Sequence, residues 1–133
     1  MESISRANLS DSFLRLEREK SNLLLGANLL KAQGRYEEAA ERFGRAAILE
    51  SRLVDDLYKQ NKLRKAFIHE FSVLSCWAQA GNLYQALQVG TALLQRESLS
   101  AAQRAQTESY LNKLRSRMMQ WMVAWEQESV SAD

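Results

Sequence analysis

His69 and Cys76 are the residues whose side chains could act together in nucleophilic catalysis, with the imidazole activating the thiol. They lie seven positions apart, so a helix would place them on one face but separate them by two turns, about 10.5 Å along its axis. That distance is too long for the hydrogen bond that a nucleophile and its base must share. We therefore predict that Cys76 is a small residue of the core and not a nucleophile.

Acidic side chains also lack a catalytic pattern. The sequence contains two adjacent acidic pairs, Glu37–Glu38 and Asp55–Asp56. Because adjacent residues of a helix point about 100° apart, neither pair forms the facing carboxylates that glycoside hydrolysis requires. His69 is the only histidine, so one chain cannot build a metal site from several histidines. We expect no catalytic residue, no metal and no cofactor, and we predict that the protein is not an enzyme.

The composition favours a single helical domain. The 133 residues are enough for one hydrophobic core, and 46% of them are hydrophobic. The chain has no proline, which favours long helices joined by short turns. Its net charge of +2, from 18 basic and 16 acidic residues, gives no electrostatic case for nucleic acid as a partner.

The cysteine content and the apolar runs indicate where in the cell the protein is expected. Cys76 is the only cysteine, which indicates a reducing environment. The first residues show no signal-peptide pattern, and no apolar run is long enough to cross a bilayer. We therefore expect a cytoplasmic protein without integral membrane contact.

The spacing of apolar residues predicts five helices. Apolar side chains recur at steps of three, four and seven residues, and no segment alternates with the period of two that marks a strand. The predicted helices cover residues 10–33, 36–59, 62–80, 83–96 and 100–126. They form one domain, residues 10–126, between tails at 1–9 and 127–133. Lys20 interrupts the apolar stripe of the first helix, and its stem could cover apolar surface while its ammonium group reaches water.

The ends of these helices carry their own signals. Gly34 and Gly81 suit the left-handed position that follows a helix, and Asn61 suits a break between the second and third helices. Ser100 and Gln103 match a capping box, in which each side chain satisfies the backbone amide of the other residue.

Two stretches of the chain share one spacing of glycine, small and large residues. The first is Gly34, Tyr36, Ala39, Phe43 and Ala46, and the second, at the same offsets, is Gly81, Leu83, Ala86, Gly90 and Leu93. The first stretch resembles the second-helix half of a tetratricopeptide (TPR) repeat, and the second is a weaker copy. In that family small residues mark where two helices touch, and aromatic residues fill the gap between hairpins. We therefore predict that Tyr36 and Phe43 belong to the core, together with the alanines that follow each of them.

The resemblance implies an all-α fold of TPR-like antiparallel helical hairpins, about five helices, with a C-terminal capping helix. Gly34 and Gly81 are 47 residues apart, whereas the family repeats about every 34 residues, so we predict longer helices than in standard repeats. Such scaffolds bind other proteins. The implied function is a non-catalytic protein–protein interaction, as an adaptor, assembly factor or chaperone.

The resemblance also implies a peptide-binding groove, because the first helix of each TPR hairpin lines a concave surface. By position, the groove residues are Leu24, Asn28 and Lys31 from the first unit and Phe71, Ser75 and Gln79 from the second. The family's carboxylate clamp is only partly present, so the expected ligand is an extended or helical peptide. An alternative resemblance is to MIT modules, three-helix domains that bind short helical tails.

The fifth helix carries a second candidate surface. Met118, Trp121, Met122 and Trp125 fall on one of its faces, with Met119 and Val123 beside them. This helix could close the core as a cap. If part of the face stays exposed, its residue types are those that adaptable interfaces favour, and the alternative function is a homo-oligomer assembled through this helix. Membrane-surface binding is a third interpretation, since Arg115 and Arg117 flank the face.

Overall fold

The computed structural model describes the backbone of residues 2–131 and the side chains of residues 11–129. Within that backbone the chain forms five helices and no strand. The helices are α1 (Glu2–Ala32), α2 (Tyr36–Lys59), α3 (Leu63–Gln79), α4 (Leu83–Leu94) and α5 (Ala101–Ser131). The predicted all-α fold of about five helices is confirmed: consecutive helices pack against each other, and the C-terminal helix is long.

One turn geometry ends α1, α2 and α3. Gly34, Asn61 and Gly81 occupy the left-handed region, with φ of 77°, 57° and 79°. In each turn, the backbone amide of the residue after the left-handed one donates a hydrogen bond to a carbonyl in the last helical turn. The amide of Arg35 donates to Leu30 at 2.9 Å, that of Lys62 to Leu57 at 2.9 Å and that of Asn82 to Trp77 at 3.0 Å. This is the Schellman motif, which satisfies carbonyls that the helix end leaves free. Because the connections are short, consecutive helices from α1 to α4 run antiparallel.

The two terminal helices are longer than predicted. α1 begins at Glu2 and not near residue 10, and α5 continues to Ser131 and not to residue 126. The segments 2–9 and 127–131 are therefore helical, since neither contains a proline or glycine that would end a helix. Met1 and residues 132–133 of the predicted tails lie outside the described residues.

The start of α5 matches its sequence signal. The amide of Ser100 donates to Oε1 of Gln103 at 3.0 Å, and the amide of Gln103 donates to Oγ of Ser100 at 3.1 Å. The predicted capping box is therefore confirmed. It fixes the direction in which α5 leaves the connection after α4.

The core is a strip that follows the series of helices. Each helix packs against the next, and α3 also contacts α5. Buried residues group as Ala27, Leu30, Ala39 and Phe43; as Ala46, Ala47 and Cys76; and as Leu74, Ala78, Ala86, Leu111 and Leu114. Alanines at these contacts let the helix axes approach closely. Tyr36, in contrast, is 67% exposed, so its prediction as a core residue is wrong: it lies in the first turn of α2, where no neighbouring helix covers it.

Gly90 lets α4 lie close to α5. A Cβ atom at position 90 would clash with Cδ2 of Leu111 and lie 2.9 Å from its Cγ, and the side chain of Leu111 is fully buried. We expect Gly90→Ala to lower the free energy of unfolding by about 1–3 kcal/mol, the usual effect of overpacking a core. Urea denaturation followed by circular dichroism measures the change.

Gly44→Ala is the matched control for this prediction. Gly44 is also helical, but a Cβ atom there would meet nothing closer than the ring of Trp77, at an ordinary 3.6 Å. Without a clash, the better helix propensity of alanine should raise the free energy of unfolding by up to about 1 kcal/mol. Equal changes in the two variants would contradict the tight contact assigned to Gly90.

Candidate functional site

Glu50 is a completely buried carboxylate near the middle of α2. The Nδ1–H of His69 donates to its Oε1, the hydroxyl of Ser72 donates to its Oε2 at 2.8 Å, and Nζ of Lys20 lies 3.4 Å from Oε2. These partners belong to α1 and α3, so one side chain of α2 ties three helices together. Because both oxygens are engaged, the desolvation of the carboxylate is compensated.

The lowered pKa of Glu50 shows that its hydrogen bonds and nearby positive charge affect the carboxylate more than burial does. Burial alone would raise the pKa above the ordinary value of 4.5, but the hydrogen bonds of His69 and Ser72 and the positive charge of Lys20 lower it below that value. The carboxylate is therefore ionised at neutral pH. The sequence left open that the ammonium group of Lys20 reaches water; in the structure this group pairs with Glu50, and the side chain is 14% exposed.

Glu70 is a second buried carboxylate, on α3. Nε of Arg96 donates to its Oε1 at 2.6 Å, Nη2 donates to its Oε2 at 2.9 Å, and the hydroxyl of Tyr58 donates to Oε1 at 2.7 Å. The guanidinium carbon also lies 3.7 Å from the ring centre of Tyr58, a cation–π contact. Burial and the Glu70 carboxylate raise the pKa of Tyr58, which stays a hydrogen-bond donor. This network joins α2, α3 and the segment after α4.

The buried polar atoms of both networks are paired with one another. Among the described residues, every buried side-chain nitrogen or oxygen has a hydrogen-bond partner. The same residues contain no group of three or more His, Cys, Asp and Glu side chains that could hold a metal ion. Cys76 is 2% exposed, and burial raises the pKa of its thiol to about 11, so the predicted core position is confirmed. The two carboxylates act as structural ties between helices.

The groove residues predicted on α1 occupy two environments. Leu24 is half-buried and packs against the clusters that join α1, α2 and α3. Asn28 is exposed and donates from Nδ2 to the carbonyl of Leu24 at 3.0 Å, and Lys31 is exposed. Leu24 therefore contributes to packing, while Asn28 and Lys31 remain available on the surface.

The groove residues predicted on α3 divide in the same way. Phe71 is half-buried, with its ring centre 5.3 Å from that of Tyr110 on α5 in an edge-to-face contact. Gln79 is exposed and donates from Nε2 to Oγ of the half-buried Ser75 at 3.3 Å. Phe71 thus packs against α5, and the polar pair stays near the surface.

The two helices predicted to line the groove are neighbours. Oε1 of Glu17 on α1 lies 4.0 Å from Nε2 of His69 on α3, and the rings of Phe13 and His69 are 6.4 Å apart in an edge-to-face arrangement. α1 and α3 therefore meet through these side chains.

α5 divides into a packed half and an uncovered half. Thr107, Leu111 and Leu114 are buried, the two leucines against α3 and α4. α5 has 31 residues, whereas the helices that it contacts have 17 and 12. Beyond the half-buried Met118, every side chain from 119 to 129 is exposed, so the last turns extend past the bundle.

The uncovered half of α5 carries several large apolar side chains. Trp121, Met122 and Trp125 are 68%, 53% and 59% exposed, and Met119 and Val123 flank them at 66% and 50%. The predicted interface residues Met118, Trp121, Met122 and Trp125 lie on successive turns of one side, which we call the α5 face. The cap that α5 forms over the core ends near Leu114, and the α5 face continues beyond it.

A second exposed apolar row lies on α1 and escaped the sequence interpretation. Leu14, Leu25 and Leu29 are 54%, 63% and 56% exposed, and their spacing places them on one side of the helix. We call them the α1 row. The available signal was that α1 carries leucines on more than one face, which a single buried stripe does not need.

The fold defines an all-α protein in which consecutive helices pack in series, a geometry compatible with a helical repeat. Comparison with protein families, curated proteins and solved structures finds no match to this chain. In the described part of the chain, no helix combines the length and the apolar character needed to cross a bilayer.

Proposed function

We propose that this protein is a non-catalytic protein–protein interaction module whose contact surface is the α5 face. One observation carries the proposal: residues 119–129 project beyond the core, with two tryptophans and their apolar neighbours at least half exposed. Water-exposed tryptophan and methionine are uncommon on surfaces that have no partner, and both are enriched at interfaces. The helical hairpins act as the scaffold that presents this face.

The TPR-like resemblance supports the same class of function through a different surface. The groove between α1 and α3 is the second candidate, favoured by the exposure of Asn28, Lys31 and Gln79 on two neighbouring helices. It would take an extended or helical peptide. The two surfaces lie on different helices, so substitutions can separate them.

Affinity capture from lysate of the source cells tests the two surfaces. The tagged baits are the wild type, Trp121→Gln with Trp125→Gln, and Asn28→Ala with Lys31→Ala and Gln79→Ala. We expect the α5 variant to lose captured protein by roughly thirtyfold or more, because a buried tryptophan in an interface is typically worth about 2 kcal/mol or more. The groove variant should capture as the wild type does.

Quantitative mass spectrometry of the captured proteins reads out this experiment. Circular dichroism of each bait confirms that the substitutions, all at exposed positions, leave the fold intact. Loss of capture in the groove variant alone would show that the binding surface lies on α1 and α3. Equal capture by all three baits would contradict both surfaces.

A further inference from the structure

We propose that the surface where α1, α3 and α5 adjoin binds an acidic peptide segment through the side-chain carboxylates of that segment. The proposal rests on the second candidate surface of the proposed function, and it names the chemistry of the peptide. It adds α5 to the helices that form this surface, and it does not involve the α5 face.

α3 contacts α1 on one flank and α5 on the other. On the first flank His69 lies beside Glu17 of α1, and on the second Phe71 meets Tyr110 of α5. At about 100° per residue, positions 64, 68, 75 and 79 fall between these two flanks. None of these four side chains is buried. We call them the α3 strip: Arg64, Ile68, Ser75 and Gln79.

α5 runs in the same direction as α3. Nη1 of Arg104 donates to the carbonyl oxygen of Leu94 at 2.7 Å, and Gly90 lies against Leu111. Residue numbers therefore rise along α5 as they fall along α4, so these two helices are antiparallel. Since α3 is antiparallel to α4 as well, α3 and α5 are parallel.

Basic residues of α5 border one side of the α3 strip. Lys113 and Arg117 follow Tyr110 by three and seven positions, so they lie on the side of α5 that meets α3, and both are exposed. Because Tyr110 lies beside Phe71, they are level with about positions 74 and 78 of α3. They are therefore next to the C-terminal end of the α3 strip.

α1 borders the other side of that end. Asn28 and Lys31 follow Glu17 by about three and four helical turns, so they share the side of α1 that meets α3, and both are exposed. Glu17 lies beside His69, and α1 and α3 run parallel, which sets Asn28 level with about position 80. We call the following residues the cationic surface: Asn28, Lys31, Ser75, Gln79, Lys113 and Arg117.

The stretches that form the cationic surface contain basic residues and no acidic ones. Residues 20–36, 71–96 and 109–125 have no aspartate or glutamate. Among the described side chains, no salt bridge involves Lys31, Lys113 or Arg117. The three cations are therefore free to pair with carboxylates of a ligand, although the net charge of the chain is only +2.

The acidic residues of the adjoining elements lie off this surface. Glu17 lies beside His69, toward the other end of the α3 strip. Glu37 and Glu41 are on the exposed side of α2, opposite the buried Ala39.

The polar groups between the cations fit a peptide backbone. Nδ2 of Asn28 donates to the carbonyl oxygen of Leu24, and Nε2 of Gln79 donates to Oγ of Ser75. Their amide oxygens face outward as acceptors for backbone N–H groups, which a peptide has and the phosphates of a nucleic acid lack. Ile68, which is 58% exposed, adds an apolar contact on the same strip.

Fluorescence anisotropy with an acidic peptide tests the proposal at equilibrium, which suits a complex whose exposed ion pairs each add up to about fivefold in affinity. The probe is a twelve-residue peptide that alternates glutamate with leucine and alanine. It carries a neutral fluorophore and a C-terminal amide, so that only its side chains are negative. The wild type should bind it at least tenfold more tightly than the same peptide with glutamine in place of glutamate. Equal binding of the two peptides, or binding of neither, would overturn the proposal.

Charge reversal locates the binding surface. Lys113→Glu with Arg117→Glu should weaken binding of the glutamate peptide by about tenfold or more and should favour the same peptide with lysine in place of glutamate. Arg45→Glu with Arg52→Glu makes the same change of net charge at exposed positions of α2 and should bind as the wild type does. Equal losses in the two variants would indicate non-specific attraction and would overturn the proposal.

Two further measurements separate this surface from the alternatives. Trp121→Gln with Trp125→Gln should bind the glutamate peptide as the wild type does; loss of binding would place the acidic ligand on the α5 face and overturn the proposal, while the proposed function would stand. A twelve-nucleotide DNA strand that displaced the probe as well as unlabelled peptide does would assign the surface to phosphates and would also overturn it. If the α5 variant captures from lysate as the wild type does while the wild type binds the probe, the α5 face alone is contradicted.

Discussion

Replacing Glu50 with alanine is expected to lower the free energy of unfolding by about 3–5 kcal/mol at neutral pH, the usual effect of removing one partner of a buried ion pair. The change removes the carboxylate that holds His69, Ser72 and Lys20. It also leaves the ammonium group of Lys20, whose side chain is 14% exposed, without its opposite charge. Small domains are stable by about 5–15 kcal/mol, so the variant should lose a large fraction of its stability.

Urea denaturation followed by circular dichroism measures this difference, with Glu41→Ala as the control. Glu41 lies on the same helix and is exposed, so its replacement should change the free energy of unfolding by less than about 0.5 kcal/mol. A similar, small change in both variants would show that the Glu50 network does not hold the helices together.

The same carboxylate gives stability a pH dependence of defined sign. The pKa of Glu50 in the folded protein is below 4.5, so its contribution is complete above that pH and is lost as the pH falls through the folded-state pKa. Glu50→Gln does not titrate, while the facing groups Lys20, Glu17 and His69 are unchanged. The stability advantage of the wild type over Glu50→Gln should therefore shrink below pH 4.5, and a constant difference would contradict the ionised carboxylate.

Replacing Phe43 with alanine is expected to lower the free energy of unfolding by about 3–5 kcal/mol. Phe43 is 1% exposed and packs with Ala27, Leu30 and Ala39 where α1 meets α2. Its removal leaves a cavity that the surrounding helices fill only partly, which adds to the lost burial of the ring. Thermal and urea unfolding of the variant measure the effect.

Tyr36→Ala is the matched control for Phe43→Ala. Both aromatic residues belong to the same TPR-like spacing, but Tyr36 is 67% exposed. We expect its replacement to change the free energy of unfolding by less than about 0.5 kcal/mol. A large effect at Tyr36 would contradict the structure and restore its assignment to the core.

The helices and turns could be predicted from the sequence because their signals are local. Gly34, Asn61 and Gly81 were each expected at a helix end, and all three adopt the left-handed conformation. Ser100 and Gln103, which form the capping box, are likewise only three residues apart in the sequence. The sequence did not predict that all three turns are Schellman motifs, because this motif is defined by its backbone hydrogen bonds and not by residue type.

The buried carboxylates could not be predicted because their partners come from other helices. Glu50 and Lys20 are 30 residues apart in the sequence, and their pairing depends on how α1 and α2 pack. The ammonium group of a lysine in an apolar stripe can reach water beyond its stem, so the sequence alone did not predict that Lys20 pairs with Glu50. The α5 face was predicted as a set of residues, but its exposure depends on α3 and α4 being shorter than α5.

The account assigns different tasks to the two ends of the molecule. The Glu50 and Glu70 networks tie α1, α2, α3 and the segment after α4 into one scaffold. α5 is anchored by Leu111 and Leu114 and then leaves the scaffold. The scaffold thus holds the α5 face in water at a fixed position, where it can meet a partner.

The central claim, that the exposed α5 face is the contact surface, is tested most directly by affinity capture with the Trp121→Gln, Trp125→Gln bait beside the wild type. Both tryptophans are exposed and lie beyond the half-buried Met118, so their replacement leaves the packing of the scaffold unchanged. We predict a loss of captured protein of roughly thirtyfold or more. Capture equal to that of the wild type would contradict this assignment.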